Sequence, residues 1–245
     1  MTEAPEPVAM MQRELQRIFG TRLVSLIAYG LHRPSAGSHA NHHTTHKVAR
    51  TQTLAIVETL TVADLKGCAE RTDAWHDAGL ATPLLLAAHE FERSLDAFPL
   101  EFGAILTDHV VVYGRNPFDG LQVSPVDLRR ACEVQARSHL LHLREGFIET
   151  RGRADALAVL LVRSSAPFAA LLVSVSRLEG HAAPDPEAAG RRAENLLDLT
   201  PGAITDVVKL MHVSETQSDN ALRVFPAYLN AVERLVRYVD GWGGR

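Results

Sequence analysis

Cysteine is scarce in this chain, and the two present, Cys68 and Cys132, lie far apart. They form no C-x-x-C or metal-ligand spacing, which excludes a zinc ribbon or a dithiol redox motif and points to a reducing compartment. Uninterrupted apolar runs are also missing. A membrane span needs about 20 such residues. The longest candidate, Ala154 to Ser176, is broken by Arg163, serines and Pro167, so no membrane partner is expected. The opening MTEAPEPVAMMQREL holds acidic residues and no apolar h-region. It does not read as a secretory signal, and the cytoplasm is the expected location. Excess positive charge is absent as well. A net charge of -4 and a pI near 6.3 argue against sequence-independent nucleic-acid binding, which needs phosphate-neutralising cations.

What is present is ordinary for a globular chain of 245 residues, 46% hydrophobic and 22% charged. That suffices for one large domain or two small ones. Leu15, Ile18 and Phe19 share a helical face in a first helix, Met10 to Phe19, which stops at Gly20. Leu23 to Tyr29 and Gln52 to Glu58 read as strands flanking a loop, Leu31 to Arg50, rich in Gly, Ser and His. Thr61 with Asp64 makes a capping-box start for a helix running to about Ala78. An apolar run, Pro83 to Ala88, and a short helix, His89 to Leu95, follow. Pro99 to Leu106 and His109 to Tyr113 then read as two further strands. Strands alternating with helices predict an α/β sheet. After a turn-rich linker at Arg115 to Pro125, five helical segments predict an antiparallel bundle. The boundary falls near Leu121, giving an α/β (α+β) domain over 1–120 and a helical bundle over 121–245.

This layout, with a first strand ending in Tyr29-Gly30, resembles the nucleotidyltransferase fold of the DNA polymerase β superfamily. Among its members, the bacterial small-molecule and MNT-like proteins with helical C-terminal domains are the most similar. The resemblance implies a metal-dependent transfer of a nucleotidyl group from an NTP to a hydroxyl, with Mg²⁺ as cofactor. In active members a Gly-Ser turn follows the first strand and Asp-x-Asp opens the second. Carboxylates at i and i+2 share a strand face, so they can hold two divalent cations on a triphosphate. This chain has Gly30 but Leu31 in place of the serine, and Thr51 and Thr53 in place of the two aspartates. Only Glu101 falls on the family's third acidic position, on an expected strand next to the second. The implied reading is a catalytically degenerate member that serves as a nucleotide-binding or protein-interaction module. Two alternatives stand beside it: an active transferase that moves NMP to a small-molecule or protein hydroxyl, and an antitoxin-type partner of a helical toxin.

Other candidates carry two readings each. Glu101 is either a remnant metal or base carboxylate or a strand residue facing solvent or a bundle arginine. His42 and His46, with His39 and His43, are either transition-metal ligands or part of a solvated loop. Ser35 with Gly37 and Ser38 is either an anion cradle of backbone amides or plain loop. Arg130, Arg137 and Arg144 recur every seven residues on the first bundle helix. They either meet phosphates, since the related fold places this helix beside the nucleotide, or pair with Glu133 and other acids. Arg137 and His142 have the Arg-x4-His spacing of HEPN-type ribonucleases, but i and i+5 share a helix face poorly. Trp75, Phe91, Phe98, Phe102, Phe118 and Phe147 are expected in the core. The apolar bundle faces make a homodimer a natural assembly.

Overall fold

The computed structural model describes residues 6–31, 50–181 and 185–243. Contacts divide the chain into two compact units, Met1–Val123 and Ser124–Arg245.

The first unit opens with helix α1, Glu6–Phe19, whose buried residues Val8, Met11, Leu15 and Phe19 fall on one helical stripe. Strand β1, Leu23–Tyr29, and strand β2, Gln52–Val57, are buried over most of their length. Helices α2, Val62–Ala69, and α3, Thr72–Asp77, then carry the chain to strand β3, Leu84–Ala87. The single helix expected after Thr61 is thus broken at Glu70 and Arg71. Short helices α4, Ala88–Phe91, and α5, Ser94–Ala97, lead to α6, Pro99–Thr107, and to strand β4, His109–Gly114. The sheet order is β3-β2-β1-β4. β1 runs antiparallel to both β2 and β4, and β2 runs parallel to β3. The mixed sheet expected from the sequence is therefore present.

One expected strand is not. Pro99 to Leu106 forms the helix α6, with Pro99 at its first position. An apolar run of this length fits a buried helix or a buried strand equally well by periodicity. Proline decides the matter: its fixed φ suits the first helical turn, and it cannot donate in a strand ladder. Pro99, Phe102 and Gly103 then bury one helical face. Glu101 stands in the first turn, where a negative charge meets the helix dipole favourably.

Each face of the sheet has its own core. On one side Leu26, Ala28, Ala55 and Val57 pack with Met11, Leu15, Trp75 and Leu80. On the other, Ile27, Leu54 and Ile56 pack with Phe91, Phe102, Ile105 and Phe118. Phe91 meets Phe102 and Phe118 edge to face at 5.9 and 5.4 Å, a preferred aromatic geometry. Phe98 and Phe147 depart from the expected core set, at 56% and 41% exposed. Trp75 is fully buried, and its indole N–H donates to Glu14 Oε2 at 2.6 Å.

The capping box at α2 is present, and it is tied into the sheet. Asp64 Oδ2 accepts from the Thr61 amide at 2.9 Å. Arg22 grips both carboxylate oxygens, at 2.7 and 2.9 Å. The Arg22 guanidinium therefore holds the Asp64 carboxyl well below the usual carboxylate range, with the Thr61 hydrogen bonds adding to it. A depressed folded-state pKa stabilises above the unfolded value, near 4, and the contribution fades as pH falls below it. Acidification from about pH 5 to pH 3 should thus weaken the wild type more steeply than Asp64→Asn. Urea midpoints measured across that range check this, and parallel profiles would contradict it.

The second unit holds α7, Pro125–Glu149, α8, Ala154–Leu178, α9, Pro186–Leu196, α10, Thr205–Lys209, and α11, Ser218–Asp240. α8 is the central helix, packed by α7, α9 and α11. By length and composition it is apolar enough to cross a membrane, contrary to the expectation that no stretch qualifies; half of its most apolar window is buried among its neighbours. Pro167 sits inside it without ending it. Where α7, α8 and α11 meet, His139 stacks on Phe168 and its Nε2 lies 2.6 Å from the Tyr228 hydroxyl. Burial lowers this imidazole to about 4, so it is neutral at pH 7. Glu194 is buried as well. Its Oε1 accepts from the amides of Gly202, Ile204 and Thr205 and from the Thr205 hydroxyl. That one carboxylate satisfies the donors left open at the entry to α10.

Candidate functional site

Gly30 ends β1 with φ +68°, a backbone conformation that glycine adopts freely. Its amide donates to the Asp108 carbonyl at 3.1 Å, which ties the turn to the start of β4. Leu31 follows, half-buried. Ser35, His42 and His46, like Gly37, Ser38, His39 and His43, lie outside the described residues.

Thr51 and Thr53 occupy the start of β2. Thr51 forms a parallel bridge with Leu80, its amide donating to Gly79 O at 2.9 Å and its carbonyl accepting from Ala81 N at 2.9 Å. Thr53 is paired with Ala28 and is 1% exposed. Its hydroxyl lies 3.2 Å from Met11 Sδ of α1. Side chains two apart on a strand share a face, so Thr51 and Thr53 point to the side occupied by α1, Ala55 and Val57. The second of the two expected metal-ligand positions is therefore a core position. It faces a methionine sulfur and not solvent.

Glu101 does not join them. It lies on α6, not on a strand beside β2. The strands that do border β2 are β1, LVSLIAY, and β3, LLLA. With QTLAIV in β2 and HVVVYG in β4, no strand of this sheet carries an aspartate or glutamate. A two-cation site needs at least two anionic oxygen donors held close together. Among the described residues, no group of three or more His, Cys, Asp or Glu side chains is placed to hold a metal.

The arginine row on α7 is largely committed to helix pairing. Arg137 donates to Asp240 at 2.6 Å and to Glu133 at 3.2 Å. Arg144 donates to Glu233 at 2.7 Å. Arg129 pairs with Glu133 and donates to the carbonyls of Val239 and Asp240. These bonds fasten α7 to the C-terminal end of α11. Arg130 is exposed and stays the member of the row open to an anion. His142 pairs with Glu145 on the α7 surface and not with Arg137. Neither cysteine supplies a nucleophile: burial pushes the Cys68 thiol up to about 11 and the Cys132 thiol up to about 12.

Sequence reasoning passed over one polar set at the same end of the sheet. Tyr29 is paired with Gln52 on β2 and with His109 on β4. Residues directly opposite across antiparallel strands point to the same face. That face is the one bearing Ile27, Leu54 and Phe118, opposite to Thr53. His109 packs its ring 5.0 Å from Phe118, and its Nδ1 lies 3.0 Å from the Ile105 carbonyl. No local motif joins these three residues; only the register of three strands does.

No family model matches the chain, and no curated protein matches it in sequence. Among solved structures it is similar to the spectinomycin adenyltransferase AAD(9) from Enterococcus faecialis, a structure determined with ATP and spectinomycin. The two share 12% identity with a TM-score of 0.53, over 94% of this chain and 98% of that one. At that identity the likeness concerns the fold, and the fold of this chain is nucleotidyltransferase-like.

Proposed function

We propose that this chain is a nucleotidyltransferase-fold protein that has given up metal-dependent transfer and acts as a binding module for a nucleotide-like ligand. One observation carries the reading: the four strands of the sheet hold no carboxylate, and the position expected for the second metal ligand is a threonine buried against Met11. Nucleotidyl transfer within this fold depends on cations held by strand carboxylates. Without such donors, a hard cation would have to shed water for neutral hydroxyls, and Mg²⁺ dehydrates reluctantly. The match to an adenyltransferase fold over nearly the whole chain supports a nucleotide as the class of ligand.

The test pairs an activity with a binding measurement. Pure protein is incubated with labelled ATP, GTP, CTP or UTP, with Mg²⁺ or Mn²⁺ and a cell extract as acceptor source. No label should move above the protein-free control. Label transferred only in the presence of the protein and the metal would overturn the reading. In parallel, a nucleotide at about 100 times its dissociation constant should stabilise the fold by about 2.7 kcal/mol. That stabilisation should be the same with EDTA as with Mg²⁺. A shift that needs the metal would restore the case for an active enzyme.

A further inference from the structure

We infer that the outer face of α7 is an interface between two copies of this chain. The two α7 helices lie side by side and parallel, related by a two-fold axis along the helix. The inference stands apart from the nucleotide reading. Val134, Leu141 and Ile148 are 64%, 62% and 73% exposed. They recur every seven residues, about 20° short of two full helical turns, so they form one line. The residues that α7 buries, Leu128, Cys132, Ala136, Leu140 and Leu143, lie on the opposite side. The line is therefore turned away from the bundle that α7 helps to build. Single apolar residues on a surface need no explanation, but three in register along one helix make a seam.

The charges beside the seam say what it meets. Arg137 and Arg144, at i−4 and i+3 from Leu141, flank it on one side. Ser138 and Glu145, at i−3 and i+4, flank it on the other. A two-fold axis along the helices sets each flank against the opposite flank of the second copy. Glu145 then meets the second copy's Arg144, and the pair forms twice. A two-fold axis across the helices sets each flank against itself, so Arg137 would face the second copy's Arg144, and like charges oppose binding. Only the parallel arrangement is self-complementary, as an isologous interface requires. Both groups have capacity left. Arg144 bonds to Glu233 through Nη2 and keeps further N–H donors, and Glu145 is held only by exposed His142 at 3.3 Å. One turn before the seam, the side chains of Asp127 and Arg130 have no ion pair or hydrogen bond among the described residues. The parallel arrangement brings each to its opposite in the second copy. Rim pairs of this kind choose the orientation, and the apolar seam supplies the affinity.

Sedimentation velocity of the full chain over a dilution series should show a dimer that dissociates to monomer. Leu141→Glu should weaken self-association about tenfold or more. Glu145→Arg should weaken it as well, because it sets an arginine against the second copy's Arg144. Both positions are exposed, so circular-dichroism melting curves of the two variants should match the wild type. A cysteine reads the orientation. Val134→Cys should form a disulfide-linked dimer under mild oxidation, because the parallel pair sets residue 134 beside its own copy. The native thiols Cys68 and Cys132 are buried, and the wild type under the same oxidant is the control. A wild type that stays monomeric at every concentration overturns the inference, as does a dimer that Leu141→Glu leaves unchanged. Should Leu141→Glu fail to fold, Val134→Cys decides, and no cross-link beyond the control then overturns the seam. Cross-linking of Val134→Cys chains to Ile148→Cys chains in a mixture, without Val134→Cys dimers, overturns the parallel arrangement.

Discussion

Replacing Thr53 by aspartate, the residue the family resemblance implies at that position, should destabilise the first unit by about 3 kcal/mol or more. The reason is local. Thr53 is 1% exposed, and its hydroxyl faces the Met11 sulfur on a helix that is itself core. A carboxylate placed there loses its water and gains neither a cation nor a hydrogen-bond donor of comparable strength. It escapes the penalty by taking up a proton, so its folded-state pKa rises above the unfolded value near 4. A raised carboxyl pKa means the deficit grows as pH climbs through the unfolded value. Thr53→Asp should therefore look closer to wild type at pH 4.5 than at pH 7.5 in urea melts. Thr53→Val, which keeps the shape and gives up one weak sulfur contact, should stay within about 1 kcal/mol of wild type. A Thr51→Asp, Thr53→Asp double variant that is as stable as wild type, and that gains Mg²⁺-dependent stabilisation by ATP, would show that α1 yields and that the face is an open site. That outcome would sink the account of a closed, carboxylate-free sheet.

That residues 52 to 57 form a strand is legible in the sequence, because their β-branched run sets the period locally. The burial of Thr53 is not legible there. It depends on Met11, 42 residues away, meeting β2 across the sheet face. The capping box at Thr61 and Asp64 is equally visible, while its clamp by Arg22 is not, since that is another long-range contact. Residues 99 to 106 show a different kind of failure. Their apolar content outweighs the one local signal for helix, Pro99 at the first position, and so carries Glu101 onto a strand that does not exist. The arginine row on α7 has the right period, yet its partners Glu233 and Asp240 lie on the last helix. The row Gln52, Tyr29 and His109 is the extreme case. Nothing in the chain links those three positions until β1 is placed between β2 and β4.

That placement turns on Gly114, and Gly114→Ala should cost roughly 2–5 kcal/mol, the sum of two effects. The residue has φ +76°, where an L side chain costs about 1–2 kcal/mol. A Cβ would also stand 2.0 Å from the Val24 carbonyl oxygen and 3.1 Å from Ser25 Cα, both backbone. Overpacking of this kind adds about 1–3 kcal/mol. The backbone cannot swing aside cheaply, because Ser25 is buried and its hydroxyl donates to the carbonyls of Tyr113 and Arg115 at 3.2 and 2.8 Å. Moving Gly114 would break those bonds and strand a buried polar side chain. Gly120 supplies the control. Its φ is +75°, but nothing lies within 4 Å of where its Cβ would stand, so Gly120→Ala should show the backbone cost alone, about 1–2 kcal/mol. Denaturant melts of the two variants separate the contributions, and equal losses at the two positions would refute the clash.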